Sequence, residues 1–207
     1  KKIIKNNSKG NILLVTMSLP RYSYHLYSVP ISSQWLYYFE FQKTFLRTLS
    51  NSLQRKTTLR LYPTDFGWDQ MLRWKKDFPR IKVDKGGSSF LSSLKTSRVF
   101  IGTYNATTYL ETFTYNYPTI LVWDPYFWEL SEEAEDSFVM LKEVGILHNN
   151  AQEAAEHLSQ IWDDLEEWWF SAEVQKSVRL FCNKFVRDDG QTFNKLLKEF
   201  KTSTQTY

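Results

Sequence analysis

The stretch that most limits what this chain can fold into is SRVFIGTYNATTYLETFTYNYPTIL, residues 97–121. An apolar run, Val99-Phe100-Ile101, is followed by Gly102, which permits a tight turn. A helical segment comes next. Pro118 then stops it and opens a second apolar run from Thr119 to Val122. Two such runs, each buried on both faces and joined through a helix, predict neighbouring parallel strands with a crossover. Asn105, Ala106, Thr107 and Thr108 fall where the helix begins. Small hydroxyl and amide side chains at a helix start, beside free N–H groups and the positive dipole end, suit an anion such as a phosphate. The plainer alternative is that Asn105 only caps the helix and the threonines fill space.

The rest of the chain repeats the alternation. NILLVTM (11–17) predicts a first strand, followed by a long aromatic loop, SLPRYSYHLYSVPIS, in which Arg21 could reach an anion. Residues 33–53 predict a helix capped by Ser33, with Trp35, Leu36, Phe39, Phe45, Leu46, Leu49 and Leu53 on one stripe. TLRLY (58–62) is a strand that Pro63 ends, and Asp65 follows it into a turn and a helix ended by Phe78-Pro79. Short strands at 81–83 and 146–147, and helices at 88–94, 131–144, 151–168, 171–186 and 193–200, complete the reading. The order predicts an α/β fold, a Rossmann-like parallel sheet flanked by helices, with further helices at the C-terminus. No boundary divides residues 1–207, so one domain is expected. The polar lead-in KKIIKNNSKGN without an initiator Met suggests a piece of a longer protein.

Composition removes several function classes. A net charge of +3, with no dense Lys/Arg run beyond Lys1, Lys2 and Lys5, gives no nucleic-acid footprint. No apolar run approaches the ~18 residues of a membrane span. The lone Cys182 excludes an internal disulfide and fits a reducing, cytoplasmic setting. His25, His148 and His157 lack metal-ligand spacing, so neither metal nor cofactor is expected. GxSxG, GxxxxGK[ST] and GxGxxG are all absent. Aromatic residues make up 17 %, which fits either core packing or stacking on sugars or bases. Glu111, four residues after Thr107 and three after Thr108, shares their helix face and could hold ribose hydroxyls.

These residues together resemble a known family. The strand ending in Tyr62-Pro63 with Asp65 after it, the stretch SRVFIGTYNATTYLETFTYNYPTI, and the later LKEVGILHNNAQEAAEHLSQIW are similar, in that order, to the C-terminal, donor-binding half of GT-B-fold glycosyltransferases. The likeness is nearest to a family of bacterial surface-polysaccharide and O-antigen transferases, and it extends from the first strand to about Arg187. It implies a nucleotide-activated sugar as co-substrate, transfer to a glycan acceptor, and an N-terminal acceptor-binding domain. By position it implies that Asn105, Thr107 and Thr108 bind donor phosphate, that Glu111 holds the ribose or sugar, and that Tyr62 and Asp65 lie near the base or phosphate. Where CMP-sugar transferases of this fold have His-Pro, this chain has Tyr62-Pro63, which leaves the nucleotide open. No residue is assigned as the catalytic base. The competing expectation is a non-catalytic carbohydrate- or protein-binding module that uses Trp123, Tyr126, Phe127 and Trp128 as an aromatic surface.

Overall fold

The computed structural model describes residues 4–22, 30–31, 33–186, 195–197 and 200. Six strands form one all-parallel sheet: β1 (Asn11–Val15), β2 (Thr57–Arg60), β3 (Lys82–Asp84), β4 (Ser97–Gly102), β5 (Thr119–Val122) and β6 (Leu147–His148). Their order is β3-β2-β1-β4-β5-β6. The helices are α1 (Gln34–Thr48), α2 (Asn51–Arg55), α3 (Gln70–Asp77), α4 (Phe90–Thr96), α5 (Thr107–Thr114), α6 (Glu132–Glu143), α7 (Ala151–Ile161), α8 (Leu165–Phe170) and α9 (Ala172–Phe185). The chain runs outward from β1 to β3, then returns to place β4 beside β1. Crossover loops therefore part at the C-terminal ends of β1 and β4, where open α/β sheets bind ligands.

The strands form where aliphatic runs are bounded by turn residues. β4 and β5 are buried along their whole length, as a sheet covered on both faces requires. The sheet tapers to borders of three residues at β3 and two at β6. Seven of the eight tryptophans are buried, so most of the aromatic content is spent on the core.

Two expected helices are each divided. The segment 33–53 breaks at Leu49, whose backbone is extended, and Ser50 caps α2 by accepting from the Leu53 N–H. Ser33 makes no side-chain cap. The segment 151–168 breaks at Asp163-Asp164 before α8. The helix expected over 193–200 lies largely outside the described residues, as does most of the aromatic loop, including His25.

Two polar clusters tie the distal half together. Arg98 on β4 donates from Nε to Glu166 Oε1 at 3.0 Å and from Nη1 to the Trp162 carbonyl at 2.6 Å, and it stacks over the Trp162 ring. Asn6 donates to the same Glu166 oxygen at 2.8 Å. The Arg98 hydrogen bond outweighs the opposing effect of burial and holds the Glu166 carboxyl below its ordinary pKa. At β6, the rings of His148 and His157 lie 5.0 Å apart, although nine residues separate them in sequence. Gly145 ends α6 with φ +76°, and a Cβ there would sit 2.7 Å from His157 Nε2.

Candidate functional site

The turn after β4 is fixed from below. Thr103, buried, donates its hydroxyl to the Val15 carbonyl at 2.8 Å. The Tyr38 hydroxyl of α1 meets Thr103 Oγ1 at 2.7 Å and accepts from the Met17 N–H at 3.1 Å. Because the Thr103 proton is committed to Val15, Tyr38 is the donor to Thr103. Burial raises the Tyr38 pKa and keeps that proton on. One buried relay thus locks the ends of β1 and β4 to α1.

Above this relay, α5 begins without a side-chain cap. Its N-cap is Ala106, in extended conformation, and no side chain accepts from the first turn. Asn105 is not the cap. Its carboxamide oxygen accepts from the Tyr109 hydroxyl at 3.0 Å instead. Thr108 Oγ1 lies 2.9 Å from the Tyr104 hydroxyl, and Thr107 is exposed. The unsatisfied N–H groups and the positive end of the α5 dipole remain directed at the C-terminal edge.

A cleft of about 170 Å³ opens beside this helix start, lined by Thr16, Arg60, Tyr62, Tyr104, Thr108 and Glu111 together with Pro63 and Phe90. The Glu111 side chain is exposed, and its carboxylate has no hydrogen bond or ion pair among the described residues. Tyr104 is largely buried, which raises its hydroxyl pKa; Thr108 opposes that rise, and Tyr62 and Glu111 add to it. On the opposite wall Arg60, the last residue of β2, pairs with Asp84, its register partner on β3. Its guanidinium also donates to Ser88 Oγ and Ser93 Oγ, each at 3.1 Å, and to the Ser88 carbonyl at 2.6 Å. Burial works against charge on Asp84, but the Gly86 N–H and Arg60 together outweigh it and keep the carboxyl below its usual pKa. The cleft therefore has a fixed cation on one wall, a free carboxylate on the other, and uncapped N–H groups at the helix start.

The expected residues divide into two groups. Tyr62, Thr108 and Glu111 line the cleft together, and Asn105 and Thr107 stand at the same helix start. Asp65 and Arg21 are engaged elsewhere. Both Asp65 carboxylate oxygens accept backbone N–H groups, from Asp69 at 2.8 Å and Gln70 at 2.7 Å, at the start of α3. Arg21 donates to the Gly67 carbonyl at 3.1 Å and lies over the Trp68 ring. Arg60 and Tyr104 were not singled out in the sequence. An arginine ending a strand just before Tyr62-Pro63 was the available signal for the first, and its place in TYNATT was the signal for the second. The aromatic run after β5 is mostly core: Trp123 and Trp128 are 1 % and 5 % exposed, against 75 % for Tyr126.

Three comparisons with known proteins bear on this arrangement. The model of the LIC12162 family transferase matches residues 1–200. No curated protein matches the chain. Among solved structures, one of the wall teichoic acid polymerase TagF, soaked with CDPG, is similar at a TM-score of 0.49 and 10 % identity, over 98 % of this chain and 44 % of that one. This chain thus spans less than half the length of that polymerase.

Proposed function

The chain belongs to the LIC12162 family of transferases, and from that premise we propose that it is a GT-B-type glycosyltransferase domain that binds a nucleotide-activated sugar for transfer to a bacterial surface glycan. The observation that carries this reading is the uncapped start of α5 beside the cleft of Arg60, Tyr62, Thr108 and Glu111. Sugar transfer leaves a phosphate on which negative charge grows as the glycosidic bond breaks. Preorganised N–H dipoles at a helix start, with the threonine hydroxyls beside them, stabilise that charge. Glu111, unpaired one turn into α5, is placed to accept hydrogen bonds from ribose or sugar hydroxyls. The cleft is smaller than the ~300 Å³ lower bound of ordinary ligand pockets, so it suits one portion of a donor, with the remainder beyond it. Deprotonating the acceptor hydroxyl needs a base, for which an acceptor-binding domain outside this chain is the proposed source. A nucleotide-sugar donor fits work in the cytoplasm.

Thermal unfolding in the presence of CMP-, UDP- and GDP-sugars tests the reading. A ligand at about 100 times its Kd adds about 2.7 kcal/mol, a shift of several degrees. Thr107→Ala with Thr108→Ala should remove the shift, at a cost of about 1 kcal/mol to unliganded stability from the lost Thr108–Tyr104 hydrogen bond. No shift with any nucleotide sugar would refute the proposal. The binding-module reading loses support because three of the four rings it needs, Trp123, Phe127 and Trp128, are buried.

A further inference from the structure

The net charge of +3 conceals a division. Residues 1–128 hold 18 Lys and Arg against 7 Asp and Glu, whereas residues 129–173 hold one against 13. The two segments touch where α7 packs on α1, where Arg98 pairs with Glu166 and where Lys56 lies over the Trp162 ring. The first builds the sheet from β3 to β5, and the second supplies α6, α7 and α8 at the β6 side.

The cations concentrate at one corner, the N-terminal edge of β2 and β3, opposite the cleft. Helices returning across a parallel sheet end at that edge, and α2 and α3 carry Arg55, Lys75 and Lys76 in their last turns. Complementing the helix dipoles is reason enough for those three. The same holds for Lys56, the C-cap of α2, which also lies over the Trp162 ring, but not for Arg80 and Lys82 at the entry to β3. Arg55 and Arg80 meet across a hollow of about 160 Å³ floored by Leu46, Phe78 and Ile81. Lys75 Nζ reaches the Ile81 carbonyl at 2.6 Å, next to Lys82. Arg55, Lys56, Lys76, Arg80 and Lys82 are exposed, and none forms an ion pair among the described residues. Asp77, the acid of this corner, is already paired with Lys43 at 2.9 Å.

We propose that this basic corner docks the protein on an anionic lipid surface. Parallel strands lie about 4.8 Å apart, so the charges spread over a broad edge rather than line a groove. Among the described residues the corner offers no exposed ring on which a nucleic-acid base would stack. Exposed Tyr22, Tyr62 and Tyr126 lie toward the other edge of the sheet. The acidic first turns of α6 and α7, which follow β5 and β6 at the opposite edge of the sheet, are repelled by the same surface, which sets the orientation: β2 and β3 toward the lipid, the cleft toward water. No described helix is long and apolar enough to cross a membrane, so this attachment is peripheral. Each cation near an anionic bilayer is worth about fivefold in affinity, and the attraction is screened beyond about 8 Å at physiological ionic strength. The inference does not depend on the donor site.

The test is co-sedimentation of the full chain with vesicles of phosphatidylglycerol and phosphatidylcholine, against vesicles of phosphatidylcholine alone, over a salt series. Binding is expected only with phosphatidylglycerol, weakening as salt rises. R55E/R80E/K82E should reduce it by roughly two orders of magnitude or more with an unchanged melting temperature, and R55Q/R80Q/K82Q should fall between. Absence of binding at low salt, or equal binding by the charge-reversed chain, overturns the proposal. Two further results overturn the lipid assignment: duplex DNA bound as tightly as the vesicles and lost in the same variant, or salt-sensitive self-association in which the corner meets the acidic flank of a second copy.

Discussion

Tyr38 of α1 donates its hydroxyl proton to Thr103 Oγ1 at 2.7 Å, and Thr103 donates its own to the carbonyl of Val15 at 2.8 Å. Three segments distant in sequence thus share one buried relay directly beneath the candidate site. Tyr38→Phe removes the acceptor of the Met17 N–H and leaves Thr103 without its donor. Destabilisation of about 1–3 kcal/mol is expected, read as a lower denaturation midpoint with an unchanged slope. Thr103→Val should cost a similar amount. The double variant should cost less than the sum, because the two share one network.

Ala106→Asp separates the two roles open to the start of α5. A carboxylate at the N-cap should stabilise the helix by up to about 1 kcal/mol, and it would occupy the N–H groups proposed for phosphate. The melting temperature should rise while the nucleotide-sugar shift disappears. A variant that is more stable and still binds nucleotide would show that the anion sits elsewhere.

The Arg98–Glu166 pair makes a different prediction. Arg98→Met leaves the Glu166 carboxylate with only the Asn6 amide to hold it in a partly buried setting and should destabilise by about 1–3 kcal/mol. Its pH dependence follows from the depressed folded-state pKa of Glu166. The stabilisation is complete above the unfolded glutamate pKa, about 4.3, and is lost as pH falls through the lower folded value. Glu166→Gln should abolish this acid-dependent component, as followed by urea unfolding across pH 5 to 2.

His157 acts in a higher window. Burial, reinforced by neighbouring His148, pushes its pKa down to about 4. The folded state holds it neutral while the unfolded chain takes up a proton near pH 6.5. Stability is therefore fully present above the unfolded value and declines as pH falls from about 6.5 toward 4. Replacing His157 with Gln should reduce the slope across that interval, leaving the share of His148, whose pKa burial also lowers, and the steeper loss below it, which belongs to the carboxylates.

The sheet was legible because each strand announces itself locally. NILLV, FIG and TILV are aliphatic or aromatic runs closed by turn residues, and the observed strands fall on them. The helix breaks were not legible. Leu49 and Leu53 continue the apolar stripe of α1, so periodicity passes unchanged through the point where the backbone at Leu49 becomes extended. The site was half legible for a related reason. Asn105, Thr107, Thr108 and Glu111 occupy consecutive turns, which spacing can order. Whether a carboxylate is free depends on backbone N–H groups that only the fold brings near, as Asp65 shows at the start of α3. Arg60 and Asp84 are 24 residues apart and meet only through the register of β2 and β3.

The taper of the sheet has a consequence for the protein in a crowded solution. Open strand borders are templates on which a foreign strand can add, and short, charged borders discourage it. Here the outermost strands offer three residues, two of them Lys82 and Asp84, and a pair ending in His148. Borders this short and charged discourage cross-chain β pairing at either side of a sheet whose centre is densely aliphatic.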